Sequence, residues 1–313
     1  MSSLSASREV PDGLFDFQIN GFGGVDFQRD DLTPEGLARA VTALRRHRVT
    51  RIFATLITDE IDRLCRRFER LESFCEQDTA ARSMVVGYHL EGPWLSPELG
   101  YRGAHPPKPM RAPRIEDFER LQQAASGHIR LVTLAPEWPG SPEFISHLRS
   151  RNVHVSLGHT NATEAEIDAA VRAGARFCTH LGNGTPGVLP RHDNITQRLL
   201  ARDDLIACLI PDGIHLPRFV LQNFFRAKRP GSVLFTTDAM AGAGAPPGTY
   251  TIGELEIAIG ADGVARQPGQ NSGFAGSTLT PDEGVRRVAK DLNLPFEEAV
   301  RLWSTEAAKA FGI

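Results

Sequence analysis

Alternation constrains this chain more than any other feature. Apolar, strand-like runs recur eight times, at Leu14–Gly21, Arg51–Thr58, Met84–Leu90, Ile129–Ala135, Val153–His159, Arg176–His180, Leu205–Pro211 and Ser232–Asp238. Helix-like patterns separate them, at Pro34–His47, Glu60–Gln77, Ile115–Ser126, Pro142–Arg151, Thr163–Ala173, Ile195–Arg202 and Pro217–Ala227. Two more, Pro281–Leu292 and Pro295–Phe311, close the chain. Such alternation implies parallel strands joined by crossover helices. Eight repeats favour a closed (β/α)8 barrel of TIM type over an open doubly wound sheet, in a single domain over residues 1–313. The only Gly-rich turn after the first strand, GFGG at Gly21–Gly24, lacks the GxGxxG spacing of a dinucleotide site. One segment breaks the rhythm. Ala241–Gly276 is rich in Gly and Pro, with alternating pieces at Thr249–Ile252 and Leu255–Ile259, and reads as a β-hairpin insertion after the eighth strand.

The clearest single unit is Val153–Gly187. A β-branched run ends at Gly158 and is followed by His159. Thr163 and Glu166 have capping-box spacing, Ile167, Ala170 and Val171 give the helix an apolar stripe, and Gly174 stops it. A second apolar run then ends at His180. In a parallel unit both strands point the same way, so the two imidazoles arrive on one rim, where rigid strand ends can bring them to a shared metal ion.

Composition removes several function classes. The formal net charge is −3 over 313 residues, which gives no electrostatic footprint for nucleic acid or an anionic membrane. No apolar stretch reaches transmembrane length, and Met1–Val10 is polar, without the apolar core of a signal peptide. Four scattered cysteines (Cys65, Cys75, Cys178, Cys208), with no CxxC, fit a reduced cytoplasmic protein rather than a disulfide scaffold.

In such a barrel, chemistry belongs at the C-terminal ends of the strands. Those ends carry Asp16, Gln18 and Asn20, then His89 and Glu91, His159, His180 and Asn183, Asp212 and His215, and finally Asp238. Crowding these groups on one rim is costly unless a metal or substrate compensates. Glu91, His159 and His180 make a two-His, one-carboxylate set, a common composition for catalytic Zn²⁺, although other divalent ions fit the same donors. A carboxylate beside the ion can take a proton from water and later give it to a leaving group, and Asp238 in TTDAM is the candidate. His215 in PDGIH is placed to hold or polarise a substrate carbonyl.

With these residues in view, the chain resembles the N-acetylglucosamine-6-phosphate deacetylases of the amidohydrolase superfamily, from Phe15 to about Gly312. The resemblance rests on DFQINGFGGVDF (Asp16–Phe27), HLEGPWLSP (His89–Pro97), GAHPP (Gly103–Pro107), LGHTNA (Leu157–Ala162), THLGNG (Thr179–Gly184), PDGIH (Pro211–His215), TTDAM (Thr236–Met240) and FAGSTLT (Phe274–Thr280). It implies removal of an acetyl group from the 2-amino group of an amino-sugar phosphate. Glu91, His159 and His180 would be the metal ligands, Asp238 the base and acid, and His215 a contact to the substrate carbonyl. Ala104, His105, Asn183, Gly184, Phe274, Ala275 and Gly276 would line the sugar site. Arg191 falls where the family places a phosphate-contacting arginine that can come from a neighbouring subunit, a role suited to its bidentate fork.

Three departures qualify the resemblance. Gln18 and Asn20 replace the His-x-His of two-metal amidohydrolases, and neutral amides are weak ligands, so one metal is expected. The usual accessory β-sandwich is not expected, because too little sequence lies outside the barrel to build it. This leaves the barrel standing alone or a partner subunit covering its ends, and a homodimer stays open. Gly182 and Gly184, where the family commonly has larger residues, are expected to widen the substrate wall. N-acetylglucosamine 6-phosphate is therefore the first substrate to consider. N-acetylgalactosamine 6-phosphate, an unphosphorylated amino sugar and a non-catalytic sugar-binding barrel remain as alternatives.

Overall fold

The computed structural model describes residues 10–268 and 274–313. Residues 1–9, read above as lacking a signal-peptide core, and 269–273 of the expected insertion lie outside the described residues. Eight parallel strands form one sheet in sequence order: β1 Leu14–Ile19, β2 Val49–Ile57, β3 Val85–Glu91, β4 Ile129–Leu134, β5 His154–Leu157, β6 Phe177–Cys178, β7 Ile206–Leu209 and β8 Val233–Phe235. A parallel bridge between Ile19 and Ala239 joins the last strand's continuation to the first, with Asn20 N donating to Ala239 O at 2.7 Å. The eight-stranded barrel read from the alternation is what the chain builds. Among the described residues the remaining sheets have three strands and two strands, so no β-sandwich is present there.

Helices α1 Pro34–Arg46, α2 Ile61–Gln77, α3 Thr79–Met84, α4 Ile115–Ala124, α5 Ser141–Ser150, α6 Glu164–Ala173, α7 Ile195–Leu200 and α8 Arg218–Ala227 connect the strands, and α9 Pro281–Leu292, α10 Phe296–Leu302 and α11 Thr305–Phe311 follow them. Local chemistry explains their ends. The capping box of α6 is formed, with Thr163 accepting from Glu166 N and Glu166 accepting from Thr163 N. The short α3 absorbs Met84, expected in a strand, and was not read from the sequence.

The expected helix Pro295–Phe311 is two helices. The break falls at Trp303–Ser304, where the Trp303 carbonyl accepts from Phe15 N of β1 at 2.8 Å instead of continuing a helix ladder. The turn sends α11 under the barrel, and its Phe311 ring packs with Phe15, Phe17, Phe53 and Phe177 at centroid distances of 6.0, 5.0, 5.3 and 4.7 Å. This aromatic cluster is the barrel floor.

At the opposite end several strands stop sooner than their apolar runs. The regular part of β5 ends at Leu157, of β6 at Cys178 and of β8 at Phe235. Beyond them His159, His180 and Asp238 take left-handed backbone angles, φ 50°, 29° and 52°. Non-glycine residues seldom hold such angles, and surrounding structure must enforce them.

The insertion after β8 pairs Gly248–Ile252 with Leu255–Ile259 antiparallel and adds a third strand, Ala265–Arg266. Its Ile252, Ile257, Ile259 and Ala265 pack on Ile57, Met240 and Ala275 beside the mouth of the barrel. Asp26 ties it down, accepting from Thr251 Oγ1 at 2.8 Å and Gly253 N at 2.9 Å.

Candidate metal and active site

Glu91 is the last residue of β3 and stands at the centre of the mouth. His180 Nε2 lies 3.0 Å from Glu91 Oε1 and His159 Nε2 lies 3.5 Å from the same oxygen. Burial pushes the Glu91 carboxyl up, but the facing His159 and His180 rings outweigh this and hold it well below the ordinary value. Gln18 Nε2 donates to both carboxylate oxygens, at 3.2 and 3.3 Å.

The positions of the protons decide what this cluster can hold. His159 Nδ1 is 2.8 Å from the Tyr101 carbonyl, which can only accept, so Nδ1 carries the proton. His159 Nε2 is then the atom that faces Glu91, and it is a lone pair whenever the ring is neutral. Thr58 does the same for His105. The Thr58 hydroxyl donates to the Glu91 carbonyl at 3.2 Å, so His105 Nδ1, 3.0 Å from that hydroxyl, must be the donor to it. His105 Nε2 is a second lone pair, 3.8 Å from Glu91 Oε2. His180 Nδ1 is buried with no partner among the described residues. Where those rings are neutral, their lone pairs face an ionised carboxylate and repel it unless a cation lies between them. The donors therefore fit a divalent ion. Atoms of Glu91, His105 and His159 all lie within 4.8 Å of one another, so His105, read from the sequence as a substrate residue, borders the same space.

Asp238 arrives from the far side of the barrel. Asn20 Nδ2 donates to its Oδ1 at 2.7 Å. Burial, and then the charge of Glu91, push the Asp238 carboxyl up to about 8. A cation held by Glu91 would oppose the second push. Behind it, Asp16 accepts from Thr236 Oγ1 at 2.5 Å, Thr237 N at 2.9 Å and Thr237 Oγ1 at 2.7 Å, fixing the strand that carries the base. Gln18 and Asn20 thus commit their amide donors to the two acids. The reversed amide would set oxygen against oxygen, so the amide oxygens point away from the two acids, and Asn20 Oδ1 is buried with no hydrogen-bond partner among the described residues.

His215 sits in the loop after β7, with Nδ1 2.6 Å from Asp212 Oδ2 and its ring 4.9 Å from that of Phe274. Phe274 is partly exposed, while Ala275 packs into the apolar cluster under the insertion and Gly276 meets the Asp238 carbonyl. Ala104 lies against the same cluster. Asn183 donates from its backbone N at 2.9 Å and from Nδ2 at 3.1 Å to the His180 carbonyl.

Two expectations need correction or stay loose. The glycines of the Leu181–Thr185 turn do not widen a substrate wall. A Cβ at Gly184 would lie 2.7 Å from His159 Nδ1, and one at Gly182 would lie 3.0 Å from Leu216 and Phe224 side chains. Their missing side chains are taken up by close approach to a ligand ring and to the core, at φ 61° and 95°. Arg191 is exposed and has no hydrogen bond or ion pair with any described residue, so nothing ties it to the cluster.

Sequence reasoning missed three supports. Tyr101 acts through its backbone carbonyl, which leaves no side-chain signature. Thr58 looks like an ordinary strand threonine. Glu137 lies just past β4 and accepts from Thr160 Oγ1 and from Asn161 N, locking the loop that carries His159. The rule that singled out the other strand ends applied to Glu137 as well.

Comparison with known proteins points to one family. A sequence model of the amidohydrolase family matches residues 13–313. The N-acetylglucosamine-6-phosphate deacetylase of Bacillus subtilis is 31% identical over 96% of this chain and 75% of its own length. The N-acetylgalactosamine-6-phosphate deacetylase of Escherichia coli is 31% identical over 95% of this chain and 77% of its length. Among solved structures, a mutant N-acetyl-D-glucosamine-6-phosphate deacetylase from Mycobacterium smegmatis, in complex with N-acetyl-D-glucosamine-6-phosphate, superposes with a TM-score of 0.86 at 32% identity, covering 97% of this chain and 78% of that one. With the barrel and these matches in agreement, the chain belongs to the amidohydrolase family and, within it, to the N-acetylglucosamine-6-phosphate deacetylases.

Proposed function

We propose that the protein hydrolyses the acetamide of N-acetylglucosamine 6-phosphate to the amino-sugar phosphate and acetate, with one Zn²⁺ held by Glu91, His159 and His180. The observation that carries this reading is the convergence of those three side chains, from three different strands, on the space that Asp238 approaches from a fourth. When bound, a divalent ion supplies Lewis-acid polarisation and makes a nearby water a stronger acid. Asp238 takes the proton of the attacking water and returns it to the leaving amine. Asn20 occupies its Oδ1, which leaves Oδ2 for both transfers. His215 holds the carbonyl oxygen. His105 presents a lone pair at Nε2, suited to accepting from a sugar hydroxyl. Ala104, Asn183, Gly184 and Phe274–Gly276 line the sugar. A phosphate needs a cation, and Arg191, without a partner among the described residues, would supply one across the interface of a homodimer.

We further place the enzyme in the cytoplasm, where phosphorylated sugars are found and free thiols persist; all four cysteines are unpaired. Among the described residues no helix is long and apolar enough to cross a membrane. The comparable identity to an N-acetylgalactosamine-6-phosphate deacetylase makes that epimer the second reading. The test is release of free amine by purified protein with Zn²⁺, using both N-acetylhexosamine 6-phosphates and their unphosphorylated forms. The largest kcat/KM is expected for N-acetylglucosamine 6-phosphate. Preference for the epimer would replace the substrate, and no turnover of any of them would leave only a sugar-binding barrel.

A further inference from the structure

We infer that Asp212 is a positioning residue for the reaction, setting which nitrogen of His215 meets the substrate and holding the ring in that orientation. The inference rests on the reading of His215 as the contact to the substrate carbonyl.

Asp212 uses its two oxygens for different tasks. Oδ1 accepts from Ile214 N and His215 N, each at 2.8 Å, and shapes the turn after β7. Oδ2 faces His215 Nδ1 at 2.6 Å. Burial pushes the Asp212 carboxyl up, but the His215 contact outweighs this and holds it below the ordinary carboxylate value, so both oxygens are acceptors only. The proton between the pair therefore belongs to Nδ1. Nε2, which has no hydrogen-bond partner among the described residues, is the atom left for substrate.

This assignment has a chemical consequence. With Nδ1 already protonated, Nε2 can donate to a carbonyl oxygen only if the ring carries a second proton. In that form the Asp212 carboxylate is the counter-charge that lies against the ring, 2.6 Å from Nδ1. The other groups around the pair do not compete for the ring. Phe274 lies against it as an apolar wall. The Arg287 guanidinium is occupied by the Asp212 backbone carbonyl, at 2.9 Å, and by Glu283, at 3.2 Å. Asp212 therefore turns a nominally ambiguous imidazole into a directed donor, the arrangement by which a third group orients a catalytic histidine in other hydrolases.

The isosteric substitution Asp212→Asn separates the two tasks. Its amide oxygen can still accept from both backbone N–H groups, so the turn survives. Its amide nitrogen donates toward Nδ1, which strips the proton from that atom and moves it to Nε2. A neutral ring then donates from Nε2 without a carboxylate counter-charge behind it, and the expected result is a loss of up to about 10²-fold in kcat, the size seen when stabilisation of a developing oxyanion is lost. KM and metal content should change little. Nitrogen-15 NMR of the imidazoles should show the His215 proton moved from Nδ1 to Nε2. Asp212→Glu, which keeps the carboxylate, should recover part of the rate.

His215→Gln is assayed in parallel. If His215→Gln loses activity while Asp212→Asn keeps kcat within about twofold, Asp212 has no positioning role, and the carbonyl contact by His215 stands. If His215→Gln is itself fully active, the reading of His215 falls and takes this inference with it. The NMR readout serves for a poorly active but folded variant, since an unchanged tautomer in Asp212→Asn overturns the inference whatever the rate.

Discussion

The two ends of the barrel are built from the same eight strands and follow opposite rules. The floor is a cluster of phenylalanines around Phe311, and its one imidazole, His154, is pushed down to about 4 by burial and then by Arg149, so it stays neutral there. The mouth gathers Glu91, Asp238, His105, His159 and His180, with His159, His180 and Asp238 on left-handed backbone and the Asp238 carboxyl forced up to about 8. Apolar contact at the floor stabilises the fold. Grouped charges at the mouth oppose it until a cation arrives. The contrast teaches that stability and chemistry are segregated along the barrel axis, so each can be disturbed with the other left standing.

The largest expected effect is at the mouth. Asp238→Asn should lower kcat by about 10²–10⁴-fold, the range for a general acid–base group, while metal content and melting temperature are retained. Near-normal turnover by that variant would remove the proposed base. Next is the floor. Phe311→Ala should cost about 3–5 kcal/mol of unfolding free energy, measured by urea denaturation, with kcat per folded molecule unchanged. A matching drop in kcat would show that the two ends are coupled and break the contrast.

Removing the ion should act on both properties at once. With metal at 100 times its Kd, chelation should lower stability by about 2.7 kcal/mol and abolish turnover, and calorimetry with and without Zn²⁺ measures it. The smallest effect serves as a control on the barrel's flank. Burial pushes Glu72 up, but His128, Tyr88 and Arg82 outweigh it and hold the carboxyl at about 2. A depressed folded pKa stabilises above the unfolded value of 4.5, and that contribution is lost as the pH falls from there toward 2. Glu72→Gln should flatten this stretch of the stability curve and leave the activity profile alone.

How far this was legible beforehand depends on what each feature is made of. Alternating apolar runs specify the barrel because burial on both faces demands them. Glu91, His159, His180 and Asp238 stood out because a polar group ending an apolar strand has few other uses. The early ends of β5, β6 and β8 did not stand out, since left-handed turns at His159, His180 and Asp238 are imposed by neighbours rather than by local propensity. The break at Trp303 was hidden for the same reason: it depends on an amide of β1 nearly 300 positions away. The direction of the Gly182 and Gly184 contacts, and the tautomers set by Tyr101 and Thr58, were hidden too, because they are relations between loops far apart in sequence.

The ring of strands closes on a thin joint. Between β1 and β8 the ladder is reduced to the Ile19–Ala239 bridge, and side chains take over: Asp16 grips Thr236 and Thr237, and Asn20 grips Asp238. The proposed proton carrier therefore rides on the hoop's buckle. Small breathing of that joint would lengthen or shorten the reach of Asp238 toward its water while the opposite staves, which carry Glu91, His159 and His180, keep still. Deuterium uptake by the amides of Asn20, Ala239 and Met240 is where such motion would register first.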